Sequence, residues 1–262
     1  MAVRLIATDI DGTLIPDSTP TMYPEMIETI KRLTDRGIVF FVASGRAVNS
    51  IRTMFHEVAD RIGYIAENGA HIMYKGENLG VQEMPRDSVE QLIRTFRELG
   101  PGYDYMASTP EGTVMEHPSE QFEALIRDGY RNQYRIVEDL LTEKCRIIKL
   151  ALYHPGIREL GEQVFIPQWG SALKVCMAGE MWIDFMDRSV DKGNALIQVQ
   201  QYLGISKGET MAFGDNDNDI GLVRAASESY AVENAVPAVK AQAKYICPSY
   251  REKGVYQILR QL

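Results

Sequence analysis

Hydrophobic positions fall in two alternating patterns. Short unbroken runs give way to stripes at helical spacing. Val3–Thr8 is an apolar run that predicts a buried strand. Pro24–Arg36 predicts a helix. Pro24 suits the first turn, Ile27, Ile30 and Leu33 make one apolar stripe, and Gly37 suits the position just past the end. Ile38–Ala43 predicts a second strand. Ser50–Ile62 predicts a second helix, with Ile51, Met54, Phe55, Val58 and Ile62 on one face. Continuous apolar strands separated by amphipathic helices are the signature of a parallel sheet covered on both faces.

The rhythm then changes. Gly63–Tyr74 carries two apolar segments about Asn68-Gly69, which predicts a hairpin. Ser88–Leu99 predicts a helix capped by Ser88 and ended by Gly100-Pro101-Gly102. Beyond it come a helix at Ser119–Tyr130, a strand at Arg146–Tyr153 and a helix at Ile157–Val164. Strands at Ala172–Ala178 and Met181–Met186 follow, joined by a two-residue turn at Gly179-Glu180. After Asp187 the first rhythm returns: helix Lys192–Leu203, strand Thr210–Phe213, helix Asn218–Ala226, strand Glu228–Val232, helix Ala238–Ala243 and strand Tyr245–Ile246. The expected fold class is α/β. A Rossmann-like parallel-sheet core is made from 1–83 and 188–262, with an α+β domain inserted at 84–187.

Composition narrows the function. The 262 residues suffice for a large core without staples. Lys and Arg total 28 against 36 Asp and Glu, a net charge of −8. That balance argues against nucleic acid and anionic membranes as partners, but leaves room for an anionic small substrate neutralised in one pocket. The three cysteines, Cys145, Cys176 and Cys247, are far apart and form no CxxC, so a thiolate zinc site is not expected and a reducing, cytoplasmic setting is. The longest apolar stretches, such as Ile38–Ala43, fall far short of the ~20 residues of a membrane span. The run Val3–Ala7 is broken by Arg4, unlike a signal peptide.

Two strand ends are rich in carboxylates. Asp9-Ile10-Asp11-Gly12-Thr13 follows the first strand, and ligands of open α/β sheets gather beyond such ends. Residues two apart in an extended segment point the same way, so Asp9 and Asp11 are expected to stand together. A solvated Asx turn is the alternative. Gly214-Asp215-Asn216-Asp217-Asn218-Asp219 ends a second strand. Such density calls for a cation, and hard oxygen donors favour Mg²⁺; an acidic turn capping the next helix is the alternative. An EF-hand fits poorly, because Glu228 falls one residue beyond the twelfth loop position. Ser44-Gly45-Arg46 after the second strand suits either a helix cap or a phosphate oxygen. Lys192 opens a helix at the positive end of its dipole, which points to an anion there or to a solvated lysine.

Together these four segments resemble, in order and spacing, the four motifs of the haloacid dehalogenase-like hydrolase superfamily. Over nearly the whole chain the match is closest to its Cof-type sugar-phosphatase branch, in which an α/β cap is inserted between motifs two and three. Glu67-Asn68-Gly69-Ala70 and Glu233-Asn234-Ala235 also resemble segments of that branch. The resemblance implies a phosphatase of small phosphorylated metabolites. Asp9 would be the nucleophile and Asp11 the acid and base, its pKa raised by neighbouring carboxylates. Lys192 would offset charge with Asp219 as its partner. Mg²⁺ would be held by Asp9, the Asp11 carbonyl and Asp215, with Asn218 near it. Ser44, Gly45, Arg46 and Asn218 would hold phosphate or substrate, with Asn234 helping or organising the loop. Two other readings stand beside it: a phosphomutase using the same aspartates, and a non-enzymatic phospho-receiver domain, which Asp11 and the long insertion disfavour. Tyr103, Tyr105, His117, Lys174, Asp184 and Arg188 are the insertion's candidates for gripping a leaving group.

Overall fold

The structure is a computed structural model and describes every residue except Met1, Asp17, Ser18, Arg131 and Gly179. Five strands come first: β1 (Leu5–Thr8), β2 (Val39–Ala43), β3 (Gly63–Ala66), β4 (His71–Tyr74) and β5 (Glu77–Val81). Six follow: β6 (Asp104–Thr109), β7 (Gly112–Glu116), β8 (Tyr134–Val137), β9 (Lys149–Tyr153), β10 (Leu173–Met177) and β11 (Trp182–Asp187). The chain closes with β12 (Thr210–Gly214), β13 (Glu228–Val232) and β14 (Tyr245–Cys247). It divides into two compact units, the residues up to Gly80 with Asp191–Leu262, and Val81–Val190.

The first unit is built on one sheet in the order β14-β13-β12-β1-β2-β3-β4-β5. From β14 to β3 all neighbours are parallel; β4 turns back antiparallel to β3. Alternate residues of the central strands serve opposite faces. Ile6, Phe40 and Val42 pack with Met26, Ile27, Ile30 and Leu33 of the first helix, Pro24–Asp35. Leu5, Ala7, Phe41 and Ala43 pack instead with Ala195, Leu196 and Val199 of helix Lys192–Leu203. Burying each such Ile, Leu or Phe contributes about 1.5–3 kcal/mol, and both faces need it, which explains the unbroken apolar strands. The connections run to opposite sides of β1, β2 on one and β12 on the other. That makes the carboxyl ends of β1 and β12 the switch point where open sheets bind ligands.

The second unit has its own sheet, β10-β11-β9-β6-β7-β8, antiparallel except for β7 with β8. Leu150, Leu152, Ile183 and Phe185 face Val89, Leu92, Ile93 and Phe96 of helix Arg86–Glu98. Ala151 and Trp182 face the other way, against Phe122 and Ile126.

Several elements differ from the sequence expectation. The second helix spans Val48–Met54 and gives way to a tight 3₁₀ turn at His56–Val58, so neither Ser44 nor Ser50 caps it. Helix Arg86–Glu98 starts straight after Pro85, which places Ser88 inside its first turn. The helix at Ile157 runs on to Trp169 past Pro167 through a π-helical stretch at Gly161–Phe165. The wider turn accommodates a residue that cannot donate to an α-helical ladder. Towards the end, the two expected helices shorten to Ile220–Arg224 and Pro237–Lys240. The hairpin about Asn68-Gly69 forms, with Ala66 opposite His71. The Gly179-Glu180 turn lies outside the described residues at Gly179, though β10 and β11 pair antiparallel on either side. Strands β5 to β8 carry no apolar alternation: β6 and β7 bury Ser108, Thr109 and Thr113, while β8 exposes Arg135 and Ile136.

Candidate active site

Asp9 leaves the end of β1 with its amide donating to Phe213 O of β12 at 3.1 Å. The chain then folds sharply. Ile10 O accepts from the amides of Thr13, Leu14 and Ile15, and the Gly12 amide donates to Ile15 O at 2.8 Å. Gly12 has φ +85°, and a Cβ there would lie 2.3 Å from Asp215 Oδ2, so this turn requires glycine twice over. Thr13 Oγ1 donates to Asp215 Oδ1 at 2.8 Å, while Asn234 Nδ2 donates to Gly12 O at 2.7 Å. The two acidic strand ends are thereby tied into one structure.

Lys192 is the first residue of its helix. Asp191 caps that helix, its Oδ1 accepting from the amides of Gly193 at 2.8 Å and Asn194 at 3.1 Å. The helix passes so near Ile220–Arg224 that a Cβ on Gly193 would lie 2.3 Å from Gly221 backbone. This close approach brings Lys192 to the acidic cluster. Its Nζ donates to Asp9 Oδ1 at 2.7 Å and Asp219 Oδ1 at 2.6 Å. Lys192 and Asp219 are fully buried and Asp9 nearly so. Asp219 Oδ2 in turn accepts from the amides of Asp215 at 3.0 Å and Asn216 at 3.1 Å. Asp219 is thus the expected partner of Lys192, and it also shapes the loop.

Carboxylate oxygens of Asp9, Asp215 and Asp219 lie within 4.8 Å of one another. Three carboxylates against one ammonium leave two negative charges in excess. Burial, then the Asp219 charge, raises the Asp9 carboxyl well above its ordinary value. The same two causes push Asp215 up to about 6. Burial alone would lower the Lys192 ammonium, but Asp219 and Asp9 outweigh it and hold it above the usual lysine value. Among the described residues, Asp9 Oδ2 is buried with no hydrogen-bond partner. An orphaned oxygen and an excess of two charges among hard donors fit a divalent cation of the Mg²⁺ type. Asp219 is the least available donor, since both its oxygens are engaged.

The remaining expected residues have mixed outcomes. Ser44 is buried, its Oγ accepting from the Arg46 amide at 3.2 Å. Asp11 does not join the carboxylate cluster, contrary to the extended-segment expectation, because the chain has already turned at Ile10. Instead Arg46 grips it, Nε donating to Oδ2 at 2.8 Å and Nη2 to Oδ1 at 2.5 Å. The arginine read as a phosphate ligand is therefore engaged with Asp11, and a guanidinium takes the place of the expected carboxylate neighbours. Asn218 Nδ2 donates to Asn68 Oδ1 at 2.9 Å, and the Asn68 amide donates to Ser44 O at 2.9 Å. A Cβ on Gly45 would meet the Asn68 amide group at 3.3 Å. Asn68 therefore links the second and fourth segments, a role its Asn-Gly turn signal concealed. Thr13 and Asp191 were also absent from the expected set, although Asp191 sits where an N-cap belongs.

In the second unit the candidate residues are largely occupied. Tyr103 stacks on His154 with ring centroids 4.2 Å apart, and the Tyr105 hydroxyl donates to Glu116. Lys174 Nζ donates to Val190 O at 2.8 Å, Arg188 to Ser171 O at 2.7 Å, and Asp184 pairs with Lys149 at 3.4 Å. His117 adopts a left-handed backbone.

A parallel-sheet core with an orphaned carboxylate, a buried lysine and an oxygen-donor cluster at its switch point is a site suited to a cation and an anionic substrate. The sequence model of the family described as haloacid dehalogenase-like hydrolase matches residues 6–259, and the chain belongs to that family, in its Cof-type branch. It is a phosphatase, a phosphoric monoester hydrolase. It is 27% identical over 267 residues to the 5-amino-6-(5-phospho-D-ribitylamino)uracil phosphatase YbjI of Escherichia coli, spanning 99% of this chain and 96% of that protein. A solved structure from Eubacterium rectale shares 36% identity with a TM-score of 0.88, covering 99% of this chain and 98% of the other. The HAD subclass IIB sugar phosphatase BT4131 is alike in fold, with a TM-score of 0.82 at 23% identity over 99% and 98% of the two chains. No helix among the described residues is long and apolar enough to cross a membrane.

Proposed function

We propose that this phosphatase of small phosphorylated metabolites acts on sugar phosphates and similar esters through an aspartyl-phosphate on Asp9, with Mg²⁺ as cofactor. One observation carries the reading: the two oxygens of Asp9 are unlike, Oδ1 held by Lys192 and Oδ2 buried without a partner. A carboxylate oriented by a buried lysine, with its second oxygen unpartnered, can meet a cation at one oxygen and phosphorus at the other.

In the first step a carboxylate oxygen of Asp9 attacks phosphorus in line as the bond to the leaving oxygen breaks. Asp11, once one of its oxygens is protonated and turned from Arg46, gives the leaving oxygen that proton and the alcohol departs. In the second step the Asp11 carboxylate takes a proton from water, and the water oxygen attacks phosphorus. The bond from phosphorus to the Asp9 oxygen then breaks, and orthophosphate leaves. Lys192 stays protonated throughout, because its pKa is held above the ordinary lysine value. It serves as a fixed cation that orients Asp9 and offsets developing charge. The Ser44 Oγ accepts from the Arg46 amide, which leaves its own proton to donate to a phosphate oxygen. Mg²⁺, when held by Asp9, Asp215 and the Asp11 carbonyl, supplies charge neutralisation between an anionic nucleophile and an anionic ester.

The similarity to the Escherichia coli enzyme puts a ribitol phosphate of a flavin precursor among the esters to try. The test is phosphate release from a panel of phosphorylated metabolites, with Mg²⁺ and with a chelator. We expect Mg²⁺-dependent release from at least one ester and a trapped phosphoenzyme missing in Asp9→Asn. Turnover that survives both chelation and Asp9→Asn would refute the reading.

A further inference from the structure

Arg46 makes more defined contacts around Asp11 than a substrate ligand requires. Its Nε and Nη2 engage both oxygens of the Asp11 carboxylate, at 2.8 and 2.5 Å. The same Nη2 donates to Thr19 O at 3.2 Å. The Arg46 backbone is fixed as well: its amide donates to Ser44 Oγ at 3.2 Å, and its carbonyl accepts from the Glu67 amide at 3.1 Å. The side chains of Arg46 and Asp11 are mostly covered, 15% and 26% exposed. A planar fork on a carboxylate sets its plane as well as its place, which a lysine cannot do.

We infer that Arg46 is a positioning residue for Asp11, setting the plane and place of the carboxylate that serves as the acid and base of the reaction, instead of binding the substrate phosphate. Asp11 needs such a support. It lies beyond the end of β1 in a chain that has turned at Ile10, and the strand ladder that fixes Asp9 does not extend to its side chain. A proton must pass within hydrogen-bond reach of the leaving oxygen, and a misplacement of about 1 Å can cost on the order of 10²-fold in rate. With one guanidinium Arg46 holds both Asp11 and the Thr19 carbonyl, which ties two points of the chain after β1 to the loop after β2.

This inference rests on the proposed role of Asp11, and the experiment separates the two. Rates are measured for Arg46→Ala, Arg46→Lys, Asp11→Asn and the double variant Asp11→Asn/Arg46→Ala, over aryl phosphates of graded leaving-group acidity and one alkyl phosphate. Burst-phase release reads the first step, and inhibition by orthophosphate reads phosphate binding. For Arg46→Ala we expect a loss of about 10²-fold with the alkyl ester, under about 10-fold in the burst with p-nitrophenyl phosphate, and an orthophosphate inhibition constant unchanged within about twofold. Arg46→Lys should recover only part of the loss, and Arg46→Ala should add nothing once Asp11 is Asn. Weakened orthophosphate binding with equal losses for every leaving group would overturn the inference and return Arg46 to the substrate. If Asp11→Asn itself shows no leaving-group dependence, the role of Asp11 fails first. If Asp11→Asn shows it and neither Arg46 variant does, the inference alone fails. Folding of each variant is checked by its denaturation midpoint, and Arg46→Lys carries the test should the alanine not fold.

Discussion

Gly12 lies against Asp215 so closely that a Cβ at position 12 would stand 2.3 Å from Asp215 Oδ2 and 2.8 Å from its Cγ. The φ of +85° at Gly12 is a second cost for any side chain. The first and fourth acidic segments are therefore fitted to each other at a single glycine. Gly12→Ala must displace the Asp215 carboxylate or the Asp9 turn. The expected result is a raised Mg²⁺ requirement and a large loss of rate, with about 1–3 kcal/mol of lost stability, as for overpacking elsewhere. A Mg²⁺ titration of activity beside a urea denaturation curve separates the two effects. A normal Mg²⁺ requirement in Gly12→Ala would mean that Asp215 is not positioned through this contact.

Lys192 pairs with both Asp9 Oδ1, at 2.7 Å, and Asp219 Oδ1, at 2.6 Å. Lys192→Met keeps much of the shape and removes the charge. Two buried carboxylates then lose their cation, a change that costs about 3–5 kcal/mol when one partner of a buried pair is deleted. The measurement is denaturant unfolding in chelator. Added Mg²⁺ should restore part of the stability and little of the rate, because Asp9 is no longer oriented. A stability loss under about 1 kcal/mol would show that the cluster is solvated or protonated instead.

The sequence was informative where one physical requirement acted on contiguous residues. The strands β1 and β2 are apolar throughout because both faces are covered, and the Lys192–Leu203 helix has its cap, apolar face and Gly204 stop in order. The acidic strand ends were visible for the same reason. What escaped depended on residues distant in the chain. Asp11 and Arg46 meet only because Ile10 begins a turn that alternation rules do not anticipate. Asn68 reads as a turn residue, yet it holds Asn218 and the Ser44 carbonyl. In the second unit, β6 and β7 hide because their buried Ser108, Thr109 and Thr113 break the apolar pattern.

Asp9→Asn tests chemistry and electrostatics together. Turnover should vanish. The metal-free variant should be at least as stable as the parent, since burial and Asp219 disfavour the ionised Asp9 that the amide replaces. Mg²⁺ should raise its melting temperature less than that of the parent. Near-normal phosphate release by folded Asp9→Asn would remove Asp9 from the mechanism, and a metal-free variant markedly less stable than the parent would contradict the crowded-carboxylate electrostatics.

The pH dependence of the metal-free protein has a defined sign. Asp215 is pushed up to about 6 by burial and the Asp219 charge, against an unfolded value of about 3.9. Between those values the folded state holds a proton that the unfolded chain has released. Stability must then fall as pH rises through the interval, since its slope follows protons bound unfolded minus protons bound folded. Asp9, also raised, acts in the same direction. Glu209, lowered to about 2 by the Ser206 amide and hydroxyl and by Arg4, acts the opposite way at lower pH. The diagnostic quantity is therefore the difference between the parent and Asp215→Asn. In chelator, melting temperature should decline from pH 4 to 6 more steeply in the parent than in Asp215→Asn. With Mg²⁺ the order reverses: the ion competes with the proton, so the rise it produces should grow over the same interval and shrink in Asp215→Asn. Parallel pH profiles for the two proteins, with and without Mg²⁺, would show that Asp215 neither carries the raised pKa nor helps hold the ion.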